Sequence, residues 1–196
     1  AIPPEPKQLT PNKQDIIELN PTNAPIEPTN QSQNINNPSP SKKIDNIFLD
    51  KFRNDCLIRH NFHRKNHNVD DLKLSSNLNV IAQNYAKKLA DTNSFEHSQS
   101  SYGENLYMSS GLKVLGKMPV DSWYSEIKDY NFKDPQNKTG VVGHFTQLVW
   151  KDSKEVGIGY AQASNGSVYV VANYSPAGNV VGQNIENVLE IKKNFK

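Results

Sequence analysis

The chain has 196 residues, a length that suits one domain plus an extension. Only 35% of its residues are hydrophobic and its mean hydropathy is -0.72, so part of it is expected not to pack. A net charge of +2 is too mild to imply nucleic acid, which needs a clustered basic face, and no apolar run is long enough for a transmembrane segment.

Residues 1–44 hold nine of the twelve prolines and no glycine or aromatic residue. Proline removes backbone donors and biases its predecessor to extended backbone, and without aromatics there is little to bury against the ordering entropy. This stretch reads as a disordered, proline- and asparagine-rich N-terminal arm, a linker or stalk, with one short apolar piece at Ile16-Ile17-Glu18-Leu19. The chain starts at Ala1, which reads as a removed leader or a trimmed start.

From Lys43 onward Ile44, Ile47, Phe48, Phe52 and Cys56 recur at three- and four-residue spacing. That spacing predicts an amphipathic helix ending near His67-Asn68. Cys56 is the single cysteine, so no intrachain disulfide can form. Its place on the apolar face predicts a packed thiol rather than a reactive one. A second helix is predicted after Ser75 or Ser76, a capping residue, with Leu78, Ile81, Ala82, Tyr85, Ala86 and Leu89 inward. Asn105 to Met108 reads as a strand. A third helix runs from Pro119 through Val120, Trp123, Tyr124 and Ile127, and a short fourth covers Val141 to Val149. The period then becomes two, over Val156 to Tyr160 and over Ser167 to Tyr174, with Asn165-Gly166 between as a hairpin signal. The class is α+β, with helices flanking a small antiparallel sheet.

Five histidines are the chemical handles. His60, His63 and His67 share one helix face at three- and four-residue spacing. They are read as a polar helix surface, against the alternative of a transition-metal site. His97, Glu104, Glu126 and His144 come from different elements, with Glu126 on the third helix beside its apolar stripe. Two histidines and two glutamates can bind zinc or do acid–base work. The sequence has neither a Gly-x-Ser-x-Gly elbow nor a His-Glu-x-x-His helix. Usable glycosylation sequons open at Asn30, Asn137 and Asn165 and give weak support to secretion.

Four segments together resemble the CAP superfamily of cysteine-rich secretory, antigen 5 and pathogenesis-related proteins. They are His60-Asn61-Phe62-His63-Arg64; Phe95-Glu96-His97-Ser98 with Gly103-Glu104-Asn105-Leu106; Gly143 to Trp150 continuing to Val156-Gly157-Ile158-Gly159; and Tyr169 to Asn179. Within the superfamily the chain resembles the cysteine-poor branch of Golgi-associated plant pathogenesis-related proteins and yeast-type sterol-binding members. Trp123-Tyr124-Ser125-Glu126-Ile127 and Asn179-Val180-Val181 support this, as does Ala172 where many secreted relatives place a cysteine.

The resemblance covers roughly residues 45–190 and leaves residues 191–196 as a tail. It implies an α-β-α sandwich with a cleft where His97 and His144 bind zinc or another divalent cation weakly, lined by Glu104 and Glu126. It also implies an aromatic ligand-binding loop after the third helix, here Tyr130 and Phe132. Relatives follow these with Pro-Gly-Phe, whereas this chain reads Pro135-Gln136-Asn137, which lacks the last aromatic.

The expectation is therefore a secreted, non-enzymatic binding module that carries a sterol or fatty acid or docks a protein target. One alternative is a metal-dependent hydrolase using Glu104 or Glu126 as general base. Another is a membrane-associated interaction protein at the Golgi or cytoplasmic side. Its basis is the Lys192 to Lys196 tail, although the chain has no Met-Gly start for myristoylation.

Overall fold

The structure is a computed structural model that describes residues 40–111 and 113–192, with side chains from residue 46 onward. The expected arm through residue 39 and residues 193–196 of the tail lie outside the described residues. In order come α1 (Pro40–Asn66), β1 (Lys73–Leu74), α2 (Ser76–Thr92), β2 (Gly103–Ser109) and α3 (Lys117–Tyr124). A 3-10 turn (Ser125–Asp129), α4 (Gly143–Val149), β3 (Glu155–Gln162), β4 (Val168–Ser175) and α5 (Asn184–Asn187) follow. Pro40 opens α1, where its missing N–H costs nothing, so the helix begins inside the stretch assigned to the arm. Ser75 stands at the N-cap of α2, but its hydroxyl makes no capping bond.

The four strands form one sheet in the order β1-β3-β4-β2. The two long pairings are antiparallel, and the short β1 adds a parallel pair with β3, so the sheet is mixed. Asn165-Gly166 does turn β3 into β4. It does so in the connection from Ala163 to Ser167, where Gly166 takes φ +86° and Ala163 N donates to Ser167 O at 2.8 Å. β4 runs through the middle and is buried from Val168 to Tyr174. Val170, Ala172 and Tyr174 pack toward α1, α3 and α4, while Tyr169 and Val171 pack toward α2. Burial on both faces explains why its alternation is faint in the sequence.

Helix α2 lies directly on β3, and glycine makes this possible. A Cβ on Gly157 would sit 2.0 Å from the Leu78 carbonyl carbon, and one on Gly159 would sit 2.2 Å from Ala82 O. On the helix side Ala82, Ala86 and Ala90 keep the same approach close.

The largest correction concerns α1. His60, His63 and His67 do not form a polar surface, since they are 0%, 4% and 0% exposed. They face inward because α3, β4 and the C-terminal segment supply polar partners there. His60 Nδ1 donates to Cys56 O at 2.8 Å, and its Nε2 meets Tyr174 Oη at 2.8 Å. His63 donates through Nε2 to Asp121 at 3.0 Å and stacks on Tyr124 with ring centres 3.7 Å apart. His67 donates through Nδ1 to Leu189 O at 2.6 Å, and its Nε2 meets Tyr124 Oη at 3.0 Å.

The neighbouring motif residues are equally structural. Asn61 exchanges two hydrogen bonds with the Leu72 backbone. Arg64, fully buried, donates to Asp70 O, Leu148 O, Trp150 O and Ser153 O at 2.7–3.1 Å. Cys56 is fully buried as expected, donates to Gly116 O at 3.0 Å, and burial pushes its thiol pKa far up.

This packing has consequences for stability. Gly159→Ala forces backbone apart at the α2–β3 contact and is expected to cost about 3 kcal/mol, read as a shifted denaturation midpoint. A second expectation concerns acid. Burial lowers the pKa of His60 to about 4 and also lowers those of His63 and His67. Between roughly pH 4 and 6.5 the unfolded chain therefore binds more protons than the folded one. Stability is fully present above about pH 6.5 and is lost as pH falls toward 4, with His60 alone contributing on the order of 3 kcal/mol. Urea midpoints across pH 7.5 to 4 check this.

Candidate functional site

The four candidate cleft residues stand in two pairs, each a histidine held by a glutamate. His97 lies in the segment between α2 and β2, and Glu104 is the second residue of β2. His97 Nδ1 meets Glu104 Oε1 at 2.9 Å, and the same oxygen accepts from Ser98 N at 2.9 Å. The other oxygen accepts from Asn173 Nδ2 at 3.4 Å. Glu126 lies in the 3-10 turn rather than on α3, and His144 is the second residue of α4. His144 Nδ1 meets Glu126 Oε1 at 2.6 Å. Glu126 Oε2 accepts from the backbone N–H of His144 at 2.9 Å and of Phe145 at 3.2 Å. The carboxylate thus caps the first turn of α4, where helix N–H groups lack internal partners and a negative charge is favoured.

One hydrogen bond links the elements that carry the two pairs. Asn105, next to Glu104 on β2, donates through Nδ2 to His144 O at 3.0 Å. One strand residue therefore ties α4 beside the strand that carries Glu104. A carboxylate only accepts, so each imidazole keeps its proton on Nδ1 and, when neutral, presents Nε2 as an acceptor. Carboxylate on one nitrogen and a free second nitrogen is the arrangement that orients metal-binding histidines. The exposures differ, with the His97 side chain 62% accessible and that of His144 28%. Among the described residues no group of three or more His, Cys, Asp or Glu is arranged to hold a metal ion.

The expected ligand loop behaves differently from a presented aromatic surface. Tyr130 is buried and meets Phe132 edge-on at 4.8 Å between ring centres. Phe132 is half-buried and packs against Phe145 and His67. The loop is tied down by Asn131 Oδ1, which accepts from Lys133 N and Asp134 N, and by a Thr139–Asp129 hydrogen bond. A depression of about 450 Å³ lies beside the two rings, rimmed by Lys128, Lys133 and Asn137. The sequons at Asn137 and Asn165 open on exposed asparagines.

Sequence reasoning names the four candidate residues and gives no role to Asn105, Asn173 or Tyr174. Their signal is the amide or phenol inside segments already quoted, at positions buried in the sheet.

Residues 57–174 match the CAP family, described as the cysteine-rich secretory protein family. The Golgi-associated plant pathogenesis-related protein 1 of Homo sapiens is 49% identical over 149 residues, covering 73% of this chain and 96% of that protein. Protein PRY2 of Saccharomyces cerevisiae is 36% identical over 142 residues, covering 71% of this chain but 42% of that protein. The crystal structure of NaASP2 with Zn2+ superposes with a TM-score of 0.58 at 23% identity, over 74% of this chain and 87% of that one, a likeness of fold. The chain belongs to the CAP family, and its helices around a four-stranded sheet are that family's α-β-α sandwich. None of these names describes an enzyme.

Replacing Glu126 tests the cap directly. Glu126→Gln removes the charge from three hydrogen bonds at the start of α4 and is expected to cost about 1–3 kcal/mol in urea denaturation. It should also speed hydrogen exchange of the His144 and Phe145 amides.

Proposed function

We propose that this domain is a secreted, non-enzymatic binding module whose cleft holds a divalent cation between His97 and His144 and whose surface carries a sterol or fatty acid, or docks a protein target. The observation that carries the reading is the pairing of both Nδ1 atoms with carboxylates, which leaves Nε2 of each histidine as a donor toward an ion. The donor set fits a cation in kind, since neutral imidazole suits zinc and similar metals. It fits weak binding in number, since two protein ligands are fewer than the three or four of zinc enzymes and structural zinc sites. NaASP2, which shares the fold, was crystallised with Zn2+, and zinc is therefore the ion chosen for the first test. A bound cation supplies positive charge with open positions for oxygen ligands from a partner.

The same geometry disfavours hydrolysis. A general base needs a carboxylate oxygen facing substrate. Here Glu126 already accepts from His144 Nδ1 and two backbone amides, and Glu104 accepts from His97, Ser98 N and Asn173. A lipid site at the depression beside Phe132 has one half-buried ring and a polar rim. The half-exposed edge of Phe132 supports contact with an apolar ligand, and the exposed sequon at Asn137 supports an extracellular setting.

Calorimetric titration of the purified chain with zinc is the test. Saturable binding is expected near pH 7.5 and lost in the His97→Ala, His144→Ala double variant. Labelled sterol, with a fatty-acid competitor and Phe132→Ala alongside, tests the ligand. No zinc binding at pH 7.5 overturns the cation reading. Ester or peptide turnover lost on Glu104→Gln overturns the non-enzymatic one.

A further inference from the structure

His144 is held at two ends. Glu126 holds its ring and its backbone N–H, while its carbonyl oxygen receives Asn105 Nδ2 at 3.0 Å. Asn105 is 1% exposed, and the same Nδ2 lies 3.2 Å from Tyr174 Oη. Tyr174 is fully buried, and its Oη lies 2.8 Å from His60 Nε2. His60 is also fully buried, with Nδ1 2.8 Å from Cys56 O inside α1.

The direction of every bond in this chain is fixed by its ends. A carbonyl only accepts, so His60 carries its proton on Nδ1 and offers Nε2 as an acceptor. Burial keeps that ring neutral, with a pKa near 4. Tyr174 must then donate its one hydrogen to His60, and its oxygen is free to accept from Asn105. The Asn105 amide has two hydrogens, one for Tyr174 and one for His144 O. No donor meets a donor, and both amide hydrogens are used.

We infer that Tyr174 and Asn105 are positioning residues that set His144 in the cleft, taking their orientation from His60 on α1. The inference rests on the reading of His144 as a cation ligand. It extends that reading from the four cleft residues to a buried relay crossing the sheet from α1 through β4 and β2 to α4. Tyr174 reaches His144 only through Asn105, so its effect on the cleft must pass through that amide.

The experiment is a double-variant cycle on the full chain, using zinc as probe. Titrations are run at a temperature where every variant is folded, with backbone 15N–1H shifts of His144 and Phe145 read in parallel. Tyr174→Phe is expected to weaken zinc about tenfold, the size of effect seen when partners that orient metal ligands are removed. Both amide shifts should move. Asn105→Ala should do at least as much, and adding Tyr174→Phe to it should weaken zinc no further. Val171→Ala, a core truncation on the α2 face, lowers stability without moving either readout. Additive effects of the two relay variants, or unchanged zinc affinity and amide shifts in Tyr174→Phe, overturn the inference. If Tyr174→Phe does not fold, His60→Gln replaces it in the cycle. If the unaltered chain binds no zinc, the cation reading fails, and the non-additivity of the amide shifts alone decides the relay.

Discussion

The guanidinium of Arg64 is the contact on which the arrangement of this domain depends. It is fully buried and finds its partners in four backbone carbonyls, at Asp70, Leu148, Trp150 and Ser153. A buried charge without partners is costly, and the rigid fork of arginine can satisfy several carbonyls at once where lysine cannot. These carbonyls belong to the loop after α1, the end of α4 and the turn into β3. One side chain therefore fixes where α4 ends relative to α1. Burial lowers its pKa to about 10, still well above neutrality, so the charge persists.

With the end of α4 fixed by Arg64, its beginning is fixed by Glu126 and Asn105. The helix has seven residues, too short to hold itself, so its position comes from these polar clamps and from Phe145 and Leu148 in the core. His144 sits in the first turn and inherits that precision. On the other side, His97 lies in an irregular segment and is anchored by Glu104 on β2. One candidate histidine thus stands on a clamped helix and the other on an exposed segment.

Much of the fold is legible in the sequence because its helices are amphipathic. Phe52, Cys56, Leu78, Ala82, Ala86 and Leu89 all lie where periodicity puts them. The two His–Glu pairs are named through the resemblance alone, since nothing in their spacing makes residues from different segments pair. The α1 histidines escape a sequence reading for a physical reason. Periodicity counts polar residues as outward, and His60, His63, Arg64 and His67 break that rule because tyrosine hydroxyls, carbonyls and Asp121 await them inside. Such partners are distant in sequence and leave no local trace. The parallel β1–β3 pair escapes as well, because a two-residue strand is below any periodic signal. Glu126 reads as helical because the apolar spacing continues through Ile127, while the backbone tightens to a 3-10 turn after Tyr124.

The inward histidines and the cleft are one subject. The face of α1 that reads as surface is the polar lining of the domain interior, and it runs from Cys56 to the C-terminal segment at Leu189. A polar network at this depth is favourable only when every donor meets an acceptor, and a satisfied network admits one arrangement of its members. In the stretch from His60 through Tyr174 and Asn105 the match is complete, and it ends on the backbone of His144. Apolar packing alone would leave α4 free to shift by fractions of an ångström between nearly equal packings. Hydrogen bonds with fixed polarity remove that freedom. Of the three buried histidines of α1, His60 is the one whose hydrogen bonds lead through Tyr174 and Asn105 to the first turn of α4, while His63 and His67 tie α1 to Asp121, Tyr124 and the C-terminal segment.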